Sequence, residues 1–223
     1  MSEVAISLEH IEALVRGVFN ANGCNERNTE ALVRTVVSAE RDGCASHGLF
    51  RVPGYVASLR SGKVSGHAQP IVSKKTPVLI DVDGDHGFAP LASEAGVPVL
   101  AQAASELGIA AMSIRHCHHF AALWPEVEML AQQNLIGIAC VNYVPVVAPF
   151  GGDRPLFGTN PLAFAWPRPG RPPVVFDMAT SAMAQGEVQI AARDGHTVPI
   201  GTGLDTNGEP STNPRDILEG VLL

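Results

Sequence analysis

The spacing of apolar residues changes near residue 70, and that change limits the fold more than any other feature of the chain. Before it, Leu8, Ile11, Leu14, Val15, Val18 and Phe19 recur at helical spacing behind Ser7, a candidate cap, and Gly23 supplies a stop. Leu32, Val33, Val36 and Val37 repeat the pattern from about Asn28 to Gly43. A third helix is expected from near His47 through Val56 and Leu59, broken or restarted at Pro53, which lacks a backbone donor. After a Gly-rich connector, SGKVSGHAQP (61–70), the apolar residues gather into short runs: PVLIDVDG, GIAAMSIRH, LIGIACVNY, PLAFAWP and PVVFDM. These read as strands. Helical stretches at 91–107 and 124–134 separate some of them, with Pro98 interrupting the first. The class is therefore α/β, an N-terminal helical region followed by a sheet domain, with a boundary near 62–76.

A chain of 223 residues with 46% hydrophobic content can bury a real core as one large domain or two small ones. Its formal net charge is −7 and its longest basic cluster is the pair Lys74 and Lys75, so the electrostatic footprint of a nucleic-acid binder is missing. MSEVAISLEHIEALVRG carries acidic residues and a periodic pattern, unlike a signal peptide or a membrane span. A cytoplasmic protein with no membrane partner is expected. Cys24, Cys44, Cys117 and Cys140 lie far apart without a CxxC pair and read as reduced, buried small residues.

Several segments could carry chemistry. CASHGLFRVPGYV (44–56) gathers Ser46, His47 and Arg51, either as a helix start with Ser46 as cap and the other two solvated, or as a site. IRHCHHFAALWP ends a strand with His116, His118 and His119; alternation puts His116 and His118 on one side, where they could bind a metal or hydrogen-bond locally. No HExxH or paired-cysteine partner accompanies them, and no metal is expected. VVFDMATSAMAQGEVQIAARDG reads as a strand ending at Asp177, a loop of small residues and a helix bearing Glu187, an arrangement that suits ligands or is merely a solvated helix. The dinucleotide fingerprint GxGxxG is absent, and FGGDRPLFGTNP and GTGLDTNG read first as turns.

SHGLFRVPGYV, HHFAALWPEVE, PLFGTNPLAFAWP, VVFDMATSAMAQGEVQIAAR and GLDTNGEPSTNPRDILEG resemble the malate/L-lactate dehydrogenase family of NAD(P)-dependent oxidoreductases, over essentially the whole chain. HHFAALWP and ATSAMAQGEVQIAAR look most like its bacterial branch that reduces the cyclic imino acids Δ1-piperideine-2-carboxylate and Δ1-pyrroline-2-carboxylate with NADPH. The resemblance implies a cofactor domain of non-Rossmann type with a mixed, largely antiparallel sheet over 76–223, and a helical part of the catalytic domain over 1–75. It implies a relay of Ser46, His47 and Glu187, with His47 as proton donor and Glu187 in a place where aspartate is the expected relay carboxylate. Arg51 and Thr159 would hold the substrate. His119, Phe120, Ala121, Ala122 and Leu123, with Asp177, Met178 and Ala179, would line NADPH, or NADH in its place. The implied partners are a small cyclic imino acid or 2-keto acid and a second copy of the chain. Arg51 lies four residues beyond His47, on the same face of a helix, and its fork suits a substrate carboxylate.

Two alternatives stay open. One is an NAD(P)-dependent 2-hydroxy acid dehydrogenase acting on malate, lactate or ureidoglycolate. The other is a truncated, inactive homologue, since family members continue past ILEG while this chain ends at VLL and is expected to leave apolar surface uncovered, the faces of Leu14, Val18, Val33 and Val37 included.

Overall fold

The computed structural model describes residues 5–119 and 121–223, which divide into two compact units between residues 135 and 136. In the first, helix α1 (Leu8–Ala21) starts where Ser7 Oγ accepts the His10 N–H and stops before Gly23, whose φ of 85° suits glycine. Helix α2 (Glu26–Arg41) is capped by Asn25, whose side chain accepts the Asn28 N–H at 3.0 Å. Helix α3 (Val52–Arg60) has Pro53 in its first turn, where no donor is needed, so the proline is the restart that its position implied. Ile11, Val15, Phe19, Leu32, Val33 and Val36 bury their side chains with Tyr55 and Phe88. Tyr55 meets Phe19 and Phe88 edge-to-face, at 5.7 and 4.9 Å between centroids. Val33 is therefore covered by its own unit, against expectation, while Leu14 stays 55% exposed.

Strands β1 (Ile71–Lys74), β2 (Leu79–Phe88) and β3 (Ala111–His118) lie side by side in that order. β1 runs antiparallel to β2; β2 runs parallel to β3, joined by helix α4 (Ala89–Leu107). Helix α4 continues through Pro98, which is exposed. At Gly96 the helix approaches the sheet so closely that a Cβ would strike Val82 and Met112. Helix α5 (Trp124–Ala131) completes the unit. Periodicity marks the change of element type near 75, but compactness divides the chain at 135/136, because α4 packs on β2 and β3 and also meets α2.

In the second unit β4 (Gly137–Cys140), β5 (Leu162–Arg168) and β6 (Arg171–Met178) form an antiparallel sheet in chain order. Alternation puts Ile138, Phe164 and Phe176 in one row of a face that also exposes Trp166, Val174 and Met178. Helix α6 (Gln185–Asp194) and helix α7 (Pro214–Glu219) pack with strands β7 (Gly203–Leu204), β8 (Pro210–Ser211) and β9 (Val221–Leu222), ordered β8-β7-β9. Among the described residues only β2 and β3 pair as parallel named strands, so the sheets are mixed and largely antiparallel as expected. The apolar end is not uncovered: β9 pairs with β7, and Leu222 joins Val147, Val188, Val198 and Ile217 in a core.

Candidate active site

The SHG segment is not a helix cap. Ala45–His47 and Leu49–Arg51 form two consecutive 3₁₀ turns, and Ser46 is 1% exposed inside the first. Its Oγ lies 3.1 Å from Nδ1 of His47, and Cys44 Sγ lies 3.4 Å from the same nitrogen. Arg51 Nε–H donates to the Ser46 carbonyl at 2.8 Å, and among the described residues its Nη groups meet no carboxylate. Glu40 of α2 secures the turn from behind by accepting the Leu49 N–H at 2.6 Å. Gly48 makes that possible, because any Cβ there would collide with the Glu40 carboxylate.

Burial lowers the His47 pKa to about 4, with further push from the positive charge of Arg51 and from His119. The imidazole is therefore neutral at pH 7, below the near-neutral titration expected of a proton donor. A carboxylate bound at the Arg51 fork would offset the guanidinium and move His47 upward.

His119 Nε2 lies 2.9 Å from Glu126 Oε1, and the Ser93 hydroxyl donates to that oxygen at 3.1 Å. Leu123 is buried, whereas Ala121 and Ala122 line a cavity of about 560 Å³ together with Ser93 and Glu126. Phe120 lies outside the described residues. The cavity's size is ordinary for a small-molecule site. Five glutamates against two arginines line it, which disfavours an anionic group such as phosphate. The regular alternation expected of His116 and His118 is interrupted: the β2–β3 register breaks between Asp83 and Gly87, and His116 takes a φ of 52°. Its Nδ1 sits 3.1 Å from Asp83 and its ring stacks on His86. Among the described residues no three His, Cys, Asp or Glu side chains are placed to hold a metal.

In the second unit, the Thr159 carbonyl accepts from Thr180, from its N–H at 2.8 Å and its hydroxyl at 3.1 Å. Asn160 Oδ1 accepts the Tyr143 N–H at 2.9 Å, and a side chain at Gly158 would strike the Tyr143 carbonyl. The segment leading into β5 is thus anchored, which fixes Thr159 beside the end of β6, where Asp177, Met178 and Ala179 follow one another. Glu187 stands in the exposed first turn of α6. Ser46, His47, Arg51 and the His119 segment belong to one unit; Thr159, 177–179 and Glu187 belong to the other.

Sequence reasoning missed Glu126, Glu40 and Cys44. HHFAALWPEVE offered the only signal for Glu126, a carboxylate in the first turn of α5. The cysteines divide: Cys24 is buried as expected, while Cys140 is exposed at the edge of a sheet.

The family model for malate/L-lactate dehydrogenase matches residues 6–223. A Δ1-pyrroline-2-carboxylate reductase of Ancylobacter novellus is 46% identical over 99% of this chain and 64% of its own length. A Δ1-pyrroline-2-carboxylate/Δ1-piperideine-2-carboxylate reductase of Pseudomonas putida is 47% identical over 99% of this chain and 64% of its own. The chain thus spans just under two thirds of these curated relatives. The crystal structure of Δ1-piperideine-2-carboxylate reductase from Pseudomonas syringae pvar. tomato matches at 45% identity and a TM-score of 0.93, over 99% of this chain and 67% of that one. A malate dehydrogenase from Entamoeba histolytica matches at 28% identity and a TM-score of 0.92, over 98% and 61%.

Proposed function

The chain belongs to the malate/L-lactate dehydrogenase family, and from that premise we propose that it serves NADPH-dependent reduction of cyclic imino acids, Δ1-pyrroline-2-carboxylate to L-proline and Δ1-piperideine-2-carboxylate to L-pipecolate. The observation that carries the reading is the turn in which His47 and Arg51 are both bonded to Ser46, one to its hydroxyl and the other to its carbonyl. Identity of 46–47% to reductases of these imino acids supports the substrate class.

A nicotinamide held there would supply a hydride to C2 of the C=N bond. The bond's electron pair then rests on nitrogen, which takes a proton, and His47 is the donor. Arg51 grips the substrate carboxylate with its two Nη groups while its Nε keeps the bond to Ser46. Ser46 orients the imidazole, Glu187 completes the relay with a carboxylate, and Thr159 adds a hydroxyl to the substrate's hold. His119 to Leu123 and Asp177 to Ala179 hold the cofactor, the alanines leaving room for a flat ring. NADPH is the preferred reductant and NADH the weaker one. In this reading, residues 1–75 serve the catalytic domain and 76–223 the cofactor domain, and the enzyme is a cytoplasmic homodimer. No helix among the described residues is long and apolar enough to cross a membrane.

The test is the loss of NADPH absorbance with each imine, run beside pyruvate and oxaloacetate. A preference for either keto acid would move the assignment to 2-hydroxy acid dehydrogenation, the reading that the likeness to a malate dehydrogenase favours.

A further inference from the structure

We propose that Glu126 is the positioning residue for His119: held by the buried hydroxyl of Ser93, its carboxylate fixes the ring orientation and tautomer of His119 and so shapes the segment that meets the cofactor. The inference rests on the reading of 119–123 as that segment. Its geometry is independent of the reading. Glu126 Oε1 receives two groups, His119 Nε2 at 2.9 Å and the Ser93 hydroxyl at 3.1 Å. An ionised carboxylate only accepts, so the ring carries a proton on Nε2, and in its singly protonated form Nδ1 is then an acceptor. Ser93 is 1% exposed on α4, and the side chains of His119 and Glu126 are 13% and 19% exposed. A charge-assisted bond so screened from water is stronger and more directional than a surface pair. The three residues come from α4, the loop after β3 and the first turn of α5, so the bond also ties the loop to two helices.

Glu126→Gln keeps an amide oxygen that can accept from both partners, whereas Glu126→Ala removes the acceptor. ¹⁵N spectra of the wild-type chain, with His119 assigned by its loss in His119→Asn, should show a protonated Nε2 and an unprotonated Nδ1. Glu126→Gln should keep that pattern and Glu126→Ala should mix the tautomers. In fluorescence titrations with NADPH, Glu126→Ala should bind about tenfold more weakly, the loss of one bond to a charged group, and Glu126→Gln within about threefold of wild type. Ser93→Ala should fall between them. Should Glu126→Ala fail to fold, the wild-type spectrum and the Ser93→Ala titration decide. A wild-type His119 protonated on Nδ1, or Glu126→Ala with unchanged tautomer, overturns the proposal. NADPH that fails to bind the wild-type chain would defeat the cofactor reading of 119–123 instead, while the spectra still decide what Glu126 does.

Discussion

Arg51 Nε–H donates to the Ser46 carbonyl at 2.8 Å, closing a short bracket around His47, the residue next to Ser46 in the chain. The guanidinium thus has two duties, because Nε braces the turn while the Nη pair is available to a carboxylate. Arg51→Lys loses both, a single ammonium having no fork. Its KM for either imine should rise about 10–100-fold, with a smaller fall in kcat, read from steady-state NADPH oxidation. An unchanged KM would remove Arg51 from the substrate's carboxylate.

His47→Ala should lower turnover about 10²–10⁴-fold if the imidazole delivers the proton to nitrogen, and NADPH affinity should change much less. Single-turnover measurements at saturating NADPH separate the two effects. A variant as fast as wild type would leave Ser46, His47 and Arg51 as a structural turn alone.

The longer helices and most of the longer strands of this chain were legible because they are signalled by their own neighbours in sequence. Ser7 and Gly23 bracket α1, Pro53 restarts α3, and five apolar runs became β2 to β6. What could not be read depends on residues far apart. Ser46 looked like a cap, yet burial turns its hydroxyl onto His47, since the turn is packed against Glu40 of α2. Alternation failed at His116 because β2 carries extra residues between Asp83 and Gly87, invisible in β3's own sequence. Glu126 had no motif; its role is defined by Ser93 on another helix. Val221 and Leu222 looked uncovered only because β7, their pairing partner, was not recognised as a strand.

The pKa of His47 makes stability depend on pH with a definite sign. Its folded value of about 4 lies below the unfolded value of about 6.5, so the unfolded chain binds the extra proton between them. Stability is fully present above pH 6.5 and falls as the pH drops toward 4. Two tryptophans report separately on the two units, Trp124 and Trp166, so Trp166→Phe leaves a probe of the first. In urea titrations, the wild type should lose roughly 2–3 kcal/mol more between pH 7.5 and 4.5 than His47→Gln, which cannot titrate. Equal losses would show that His47 is as free to protonate folded as unfolded.

Ile138 is 69% exposed and Val174 48% exposed on the apolar face of the β4–β5–β6 sheet. Contiguous apolar surface of this kind favours association. The isolated chain should elute from size-exclusion columns at larger apparent size as concentration rises, and Ile138→Lys with Val174→Lys should reduce the effect. Elution that is independent of concentration in the unmodified chain would show that this face does not drive association.

Gly48 offers the most local test of how the turn is built. The Cβ that a substitution would add there meets a side chain of another helix directly. The obstacle is the Glu40 carboxylate, which a Cβ would strike while it accepts the Leu49 N–H at 2.6 Å. Gly48→Ala should therefore cost about 1–3 kcal/mol, the range for breaking a partly buried hydrogen bond to a charged group and repacking around it. Glu40→Ala removes the obstacle along with the bond, so adding Gly48→Ala to it should cost less than it does in the wild type. Denaturation of the four members of this cycle, followed by Trp124 in the Trp166→Phe background, gives the coupling. Additive costs would mean that the alanine is rejected by something other than Glu40. Coupling should also appear in function, with Gly48→Ala lowering turnover more than NADPH affinity, because the turn it disturbs carries His47 and Arg51.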